Sequence, residues 1–253
     1  KNHNMNKEKP IMRKRFRIIA FLAFFFGIVM AVSQYFEFVS KTVYEESVSH
    51  LTEVFHQSDN MLGELTHKNL MYLHMWSEYL QDAPSESKIR DYIDKAQKDA
   101  GFLYFYFLSA DGNYKMTTGE TGYLGLQENI EDEIQKGNDI ITNAAVPGKS
   151  QMLVFASPKA HGSYQGFKYD AIAIAYENAD IVNVLDISAF NGKAKSYVLH
   201  PDGRVVIDHS LESWGNVYNF FGILREHTDI SEKEILEISK KFKEGHTGAM
   251  LLN

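Results

Sequence analysis

The chain has 253 residues and no cysteine, and it carries 26 basic and 33 acidic residues for a formal net charge of −7. Seven of the basic residues lie within positions 1–17, opposed only by Glu8, so the remainder holds 19 basic and 32 acidic residues, a formal −13. The composition excludes disulfides, thiolate metal sites and a cysteine nucleophile, and the acidic remainder argues against nucleic acid as a partner.

An apolar run without a charged side chain occupies residues 18–36. Six basic residues precede it: Lys7, Lys9, Arg13, Lys14, Arg15 and Arg17. Because about 20 apolar residues cross a ~30 Å hydrocarbon core as a helix, we predict a membrane span at 18–38, with residues 1–17 in the cytoplasm. The bulk of the chain then lies outside a bacterial plasma membrane on a single N-terminal span. The alternative is a signal peptide cleaved near Ala31-Val32-Ser33, but the run is longer than a usual signal-peptide core.

Residues 39–82 are predicted to form one long stalk helix. Eight of ten positions spaced alternately by three and four residues are apolar or aromatic: Val48, Leu51, Phe55, Leu62, Leu65, Tyr72, Trp76 and Tyr79. Such a seven-residue repeat makes a narrow seam that pairs with a second helix or packs on a sheet. We expect the 48–65 part to pair in a homodimer and the end at 76–79 to pack on the chain's own domain.

A strand-rich module follows the stalk. Residues 102–109 (FLYFYFLS) are apolar on both faces, which predicts a buried central strand. The other elements predicted there are a helix at 86–100, a turn at 110–113, a strand at 114–118, a loop at 119–125, a helix at 128–135, strands at 151–158 and 170–176 paired around a loop at 161–169, and a helical turn or two at 179–185.

The last part of the chain predicts a hairpin and a helix. Strands at 196–200 and 204–208 flank Pro201-Asp202-Gly203, a strong turn signal. The helix at 231–244 begins with Ser231 as its N-cap and Glu234 as the other half of a capping box, and it stops at Gly245.

The two hairpins carry a weak internal repeat. Residues 106–112 (YFLSADG) and 197–203 (YVLHPDG) share Tyr, Leu, Asp and Gly at a spacing of 91 residues. Both segments have a strand–turn–strand setting followed by a helix, so we predict two related modules in tandem.

The order of these elements resembles the extracytoplasmic double Cache sensor regions of bacterial transmembrane signalling receptors. The elements are the anchor, the long helix, the strand–ADG–strand unit, the helix ending in Lys136-Gly137, the hairpin and the strand–PDG–strand unit. The resemblance covers residues 39–253 and implies an α+β fold with tandem PAS-like modules, each built on an antiparallel sheet. It places a membrane-distal module at 83–189 and the start of a membrane-proximal module, incomplete here, at 190–253.

The resemblance also implies a function. Receptors of this family bind a small molecule outside the cell and pass the signal to a histidine kinase, a diguanylate cyclase or a chemotaxis output, of which we favour the kinase. Amino-acid-binding members carry an Arg-x-Trp-Tyr cluster and a later Asp. Here those positions read Gln127-Glu128-Asn129-Ile130 and Tyr176, so the groups that would hold the carboxylate and ammonium of an amino acid are not in place.

Tyrosines of the first module are the candidate ligand-binding residues, because a tyrosine offers a large apolar ring and a hydroxyl to a small polar ligand. We predict a pocket lined by Tyr104, Tyr106, Lys115, Tyr123, Tyr169 and Tyr176. The alternative for each of these rings, and for Tyr164, is packing of the sheet.

Metal and catalytic chemistry are disfavoured. His67 and His74 lie two helical turns apart, about 10.5 Å, which is too far for one ion. Glu131, Asp132 and Glu133 are typical of the wet face of a short helix. We therefore predict no cofactor, metal or catalytic residue. Two rival functions remain: a membrane-anchored hydrolase, which would need a perturbed acid–base pair in the aromatic cleft, and a dimerisation stalk with a ligand-free module.

Overall fold

The computed structural model describes residues 8–82, 85–126, 130–145, 151–185, 197–208 and 219–245. The helices are α1 (Glu8–Asp82), α2 (Glu86–Ala100), α3 (Ile130–Lys136), α4 (Asn178–Leu185), α5 (Phe220–His227) and α6 (Glu232–Lys243). The strands are β1 (Tyr104–Leu108), β2 (Asn113–Lys115), β3 (Thr121–Tyr123), β4 (Gly125–Leu126), β5 (Ile140–Ala145), β6 (Met152–Ser157), β7 (Gly162–Tyr164), β8 (Phe167–Tyr169), β9 (Ala171–Glu177), β10 (Tyr197–Leu199) and β11 (Val205–Asp208).

The chain divides into two compact units, Lys1–Glu53 and Val54–Asn253. In the first unit the apolar part of α1 has no covering layer: its most apolar 18-residue stretch has no buried residue, and Phe24 is 68% exposed. Among the described residues this is one helix that is long and apolar enough to cross a membrane.

The second unit is built on a seven-stranded antiparallel sheet with the order β3-β2-β1-β9-β6-β5-β4. The first and last long strands, β1 and β9, lie side by side at its centre, with Tyr106 opposite Ala173. This is the PAS-like arrangement that the family resemblance implies. The predicted α+β class, a long N-terminal helix followed by an antiparallel-sheet module, is confirmed.

Two cores fill the sheet's two faces. The helix-side core joins α1, α2 and the sheet through Leu73, Trp76, Ile93, Phe107 and Phe155. Trp76 and Tyr79 pack as predicted: Trp76 is 3% exposed, and the ring of Tyr79 stacks on Tyr92 at 3.9 Å. Contact with this core begins earlier along α1 than the sequence indicates, because Met61, Leu62 and Leu65 are already partly buried against it.

Several segments differ from the sequence-based expectation. The expected loop at 119–125 contains β3 and β4, which pair with β2 and β5. The expected loop at 161–169 is itself a small hairpin, β7–β8, whose turn places Gln165 at φ +48°. Strand β5 and helix α5 were not predicted. The glycines of 119–125 and the Asn143-Ala144-Ala145 run of β5 carry weak strand propensity, so pairing with neighbouring strands decides their structure.

The C-terminal elements match their predictions more closely. Strands β10 and β11 pair around Pro201-Asp202-Gly203, and α6 has Ser231 as N-cap in a complete capping box with Glu234. Ile207 of β11 lies in the helix-side core. On the same strand, the carbonyl oxygen of Val206 accepts a hydrogen bond from Asn143 Nδ2 at 3.1 Å. The C-terminal hairpin is therefore attached to the first module by an apolar contact and a polar one.

The repeated turn is the same structure twice. Gly112 and Gly203 have φ angles of +85° and +87°, a left-handed conformation that favours glycine. Each glycine amide donates to the carbonyl three residues earlier, at 3.0 and 2.8 Å. In each turn the aspartate before the glycine accepts from the amide two residues further on, at 3.2 and 3.0 Å.

Candidate functional site

The two faces of the main sheet differ in side-chain size. Successive side chains of a strand point to opposite faces, so in β9 Ile172 and Ile174 face the helices while Ala171, Ala173 and Ala175 face away from them. The same alternation adds two alanines from the neighbouring strands. We call the five residues the alanine floor: Ala144, Ala156, Ala171, Ala173 and Ala175.

Large apolar side chains surround the alanine floor. Register brings Ala173 between Ala156 of β6 and Tyr106 of β1. The floor and its surroundings form one core cluster that also contains Tyr106, Leu108, Tyr114, Leu124, Ile130, Ile140, Met152 and Val154, with Tyr104, Met116 and Ile134 partly buried against it. Ligand pockets in proteins are lined mainly by apolar and aromatic side chains, so we take this face of the sheet as the candidate ligand-binding site.

Tyrosines form one wall of this cluster. The rings of Tyr106 and Tyr114 meet edge to face with centroids 4.7 Å apart, and Tyr104 lies 5.8 Å from Tyr106. Burial raises the pKa of Tyr106 well above its ordinary value, and the neighbouring Tyr114, Tyr104 and Glu120 raise it further. Tyr106 therefore stays a neutral phenol at physiological pH, able to donate or accept a hydrogen bond.

Among the described residues, Thr142 is a buried polar residue on the alanine-floor side. Thr142 of β5 lies opposite Val154 and is 3% exposed. Its hydroxyl donates to the carbonyl of Asn143 at 3.4 Å. Ligand pockets combine apolar side chains with a few placed polar groups, and the hydroxyls of Thr142 and the tyrosines are groups of that kind.

The six predicted ligand-binding residues do not share one face. Tyr104 and Tyr106 lie beside the alanine floor. Tyr169 and Tyr176 belong to the helix-side core, and Lys115 lies opposite Phe107, whose ring is in that core. The sixth, Tyr123, is 60% exposed.

The helix-side members of the set already have partners. Lys115 Nζ donates to the carbonyl of Gln165 at 3.0 Å. The ring of Tyr169 packs 5.0 Å from that of Phe107, and burial raises its pKa. Tyr176 donates its hydroxyl to Asn69 Oδ1 on α1 at 2.8 Å. These contacts give the three side chains a structural role in this arrangement.

Sequence reasoning missed Tyr114 and the alanine floor. Tyr114 was assigned to a strand but was not counted with the other tyrosines. Its position opposite Leu108 puts it on the Tyr106 face. The alternating alanines of DAIAIAY were visible in the sequence, whereas the face of Tyr114 depends on the register across the 110–113 turn, which the sequence alone does not set.

The remaining sequence candidates have ordinary roles where the structure describes them. Residues 127–129 lie outside the described residues, while Ile130 is buried in the alanine-floor cluster. Glu133 pairs with Lys136 at 2.8 Å and accepts from Asn138, and these bonds lower its pKa. Within the described ranges no group of three or more His, Asp or Glu side chains is arranged to hold a metal ion.

Comparison with known proteins gives matches in structure only. No family model matches the sequence, and no curated protein matches it. Among solved structures, the chain is similar to the ligand-binding domain of the Campylobacter jejuni chemoreceptor Tlp3 in complex with L-norvaline. The sequence identity is 10%, the TM-score is 0.46, and the match covers 70% of this chain and 75% of that one.

Two Pseudomonas aeruginosa structures are similar to the same extent. The ligand-binding domain of the amino-acid chemoreceptor PctB with L-Gln has 16% identity and a TM-score of 0.46, covering 64% of this chain and 68% of that one. The ligand-binding domain of the amino-acid chemoreceptor PctC in complex with GABA has 13% identity and a TM-score of 0.42. The match covers 62% of this chain and 74% of that one. These are Cache-type sensory domains with a long N-terminal helix, the class that the sequence resemblance indicates. At this distance the likeness concerns the fold, and the role of this chain rests on its own residues.

Proposed function

We propose that this chain is the extracytoplasmic small-molecule-sensing region of a membrane-bound bacterial signalling receptor, of the sensor histidine kinase type. The observation that carries the proposal is the alanine floor with its tyrosine wall. It is a face of small side chains bordered by three neighbouring tyrosines, on the sheet face opposite α1 and α2. A ligand seated there would act on the sheet that holds α1.

The proposed layout follows the predicted one. Residues 1–17 are cytoplasmic, 18–38 cross the membrane, 39–82 form the stalk, 83–189 the membrane-distal module and 190–253 the start of the membrane-proximal one. The uncovered apolar stretch of α1 supports the anchor, and the basic residues before it support the orientation.

A homodimer through α1 belongs to the same proposal. Leu51 and Phe55 of the predicted seam are 41% and 53% exposed, although both are large and apolar. Burying such side chains against a second helix is favourable by about 25 cal/mol per Å² of apolar surface. A ligand would shift the dimer between two arrangements only through a difference in its affinity for them.

The alternatives to a histidine kinase output are a chemoreceptor and a diguanylate cyclase. Either could use the same exterior region, and the similar solved structures are chemoreceptor domains. Reading the sequence after Asn253 discriminates among them. A hydrolase is disfavoured because Glu120 is the one carboxylate among the described groups whose charge acts on Tyr106, and a single carboxylate does not form the acid–base pair that the reaction needs.

The test is ligand binding by the full chain in detergent micelles. A panel of small metabolites is screened by thermal shift, including the amino acids bound by the similar chemoreceptors, because a ligand that binds the folded state raises the melting temperature. We expect at least one compound to stabilise the chain. A broad panel without any shift contradicts the sensing proposal.

A matched pair of variants locates the binding. Tyr104→Phe removes a hydroxyl beside the alanine floor, whereas Tyr123→Phe makes the same change at an exposed ring. Losing a hydrogen bond to ligand costs about 0.5–1.5 kcal/mol, so Tyr104→Phe should weaken binding roughly 2- to 10-fold and Tyr123→Phe should not. Equal effects of the two substitutions would place the ligand elsewhere.

A further inference from the structure

A polar cluster lies beside the helix-side core, where α1, the segment before β5 and the β6–β7 turn meet. His74 Nε2 on α1 lies 3.0 and 2.8 Å from the two carboxylate oxygens of Asp139, in the segment before β5. The other ring nitrogen, Nδ1, lies 3.1 Å from Nζ of Lys159, in the turn between β6 and β7. The side chains of His74 and Asp139 are 31% and 23% exposed, so protons reach them from solvent.

A neutral imidazole in one tautomer matches both neighbours of His74. A carboxylate only accepts hydrogen bonds and an ammonium only donates them. Nε2 therefore carries the hydrogen that Asp139 accepts, and Nδ1 presents its lone pair to Lys159. This tautomer of the neutral ring satisfies both partners.

Adding a proton reverses one of these contacts. The proton enters at Nδ1, so an N–H then faces the Lys159 ammonium, donor against donor and positive against positive. At the same time the contact of Nε2 with Asp139 becomes a charge-assisted hydrogen bond, which is stronger than a neutral one. Protonation therefore retains His74 beside Asp139 and expels Lys159.

We propose that His74, Asp139 and Lys159 form a proton-responsive clamp that gives the exterior region a second input, pH, separate from small-molecule binding. In the neutral state Lys159 ties the β6–β7 turn to α1 by its side chain, and its carbonyl also accepts from Gln81 Nε2 of α1 at 3.1 Å. Protonation removes the first tie and leaves the second.

The segment that the clamp holds is tied down at its far end as well. The hairpin β7–β8 follows the β6–β7 turn, and the Gln165 backbone at its tip accepts from Lys115 Nζ and donates to Glu86 Oε1, both at 3.0 Å. Loss of the Lys159 side-chain contact therefore weakens the attachment of the start of the hairpin to α1, which keeps the Gln81 bond, and leaves its tip unchanged. This part of the chain crosses from the sheet to both α1 and α2.

The other charged groups near the clamp do not make the same switch. On α1, Glu78 follows His74 by one turn and His67 precedes it by two. From α3, Glu133 and Lys136 pair with each other at 2.8 Å next to the Asp139 segment. Among the described side chains, Asp139 and Lys159 form hydrogen-bond contacts with the ring of His74.

The test measures the distance between α1 and the start of the hairpin as a function of pH. The chain has no cysteine, so spin labels are placed with Met75→Cys on α1 and His161→Cys just before β7, both exposed positions; the second change also removes a nearby titratable ring. We expect the distance distribution of the full chain in micelles to broaden and lengthen on going from about pH 8 to about pH 5, the range in which histidines change charge.

Matched lysine variants decide the outcome. Lys159→Met removes the clamp and should give the broad distribution at both pH values, and His74→Leu should do the same if Lys159→Met fails to fold. Lys168→Met, at an exposed lysine in the same hairpin, should keep the pH step. The proposal is overturned if the distance distribution of the labelled protein without further substitutions does not change with pH. It is also overturned if a change with pH persists in Lys159→Met. Neither result bears on small-molecule binding, which the thermal-shift panel measures.

Discussion

The ring of Tyr114 lies across Gly122, and this contact shapes the tyrosine wall. Strand pairing sets the two residues opposite each other in β2 and β3. A β-carbon built on Gly122 would lie 2.7 Å from the Tyr114 hydroxyl oxygen and 2.8–2.9 Å from ring carbons. Glycine is thus required by the close approach of a ring that also meets Tyr106 edge to face.

Replacing this glycine is expected to disturb the wall. Gly122→Ala forces the Tyr114 ring to move inside a filled cluster, and overpacking of this kind costs about 1–3 kcal/mol of unfolding free energy. Gly63→Ala is the matched control, because its added methyl group meets no atom within 4 Å on a helix and should stabilise by about 0.5–1 kcal/mol. Denaturant unfolding of the solubilised chain measures both, and equal values for the two would contradict the packing argument.

At the scale of elements, one buried hydrogen bond fastens α1 to the centre of the sheet. Tyr176 at the end of β9 donates to Asn69 Oδ1, and the two residues are 8% and 1% exposed. Asn69 Nδ2 has no hydrogen-bond partner in the described part of the chain. The bond joins the strand that carries most of the alanine floor to the helix whose N-terminal part is the candidate membrane span.

Removing one partner of this bond is expected to cost more than removing both. Tyr176→Phe leaves the Asn69 carbonyl buried and unpaired, a penalty of about 1–3 kcal/mol. The double variant with Asn69→Leu should recover part of that loss, so the two substitutions should be non-additive in a double-mutant cycle of unfolding free energies. Strict additivity would mean that the bond is not formed.

The effect of Tyr176 on stability is expected to depend on pH. Burial raises the pKa of Tyr176 to about 12, while the bond to Asn69 lowers it and Tyr72 raises it by smaller amounts. An unfolded tyrosine ionises near pH 10, so above that pH the unfolded state loses its proton first. The contribution of the raised Tyr176 pKa to the free energy of unfolding is full below about pH 10, and it is lost as the pH rises toward 12. Tyr176→Phe should therefore lose less stability over this range than the parent.

The elements that sequence predicted correctly are those with local signals. Helix α2 begins after Ser85, whose side chain accepts from the Lys88 amide, and ends at Gly101 with φ +75°. Both signals are readable in the sequence, as is the capping box of α6. Strands β3 to β5 lack such signals. Their residues become strands because neighbouring strands supply the hydrogen bonds, and a non-local partner is not visible along the chain.

The candidate site was predicted in part for a related reason. Aromatic composition identified Tyr104 and Tyr106, but it does not record on which face a side chain lies. Lys115 follows Tyr114 by one residue and points to the opposite side of the sheet, as strand geometry requires. Strand register therefore had to be known before the predicted set could be divided between the two faces.

At the scale of the whole molecule, the asymmetry of charge and apolar surface implies a sidedness that can be measured. The chain has no cysteine, so one engineered thiol reports one position. With a membrane-impermeant maleimide, Lys168→Cys should be labelled in intact bacteria and Lys9→Cys only after lysis. The reverse pattern, or labelling of both in intact cells, would contradict the proposed topology.

The joint between the first module and the C-terminal hairpin has a consequence for how the sequence is free to vary. Asn143 reaches a main-chain oxygen at position 206, and every amino acid supplies that acceptor. The strand that receives this bond can therefore exchange its side chain at 206 without losing the polar half of the attachment, whereas the strand that donates it must keep an amide. Among homologous sequences, position 206 should therefore vary more freely than position 143.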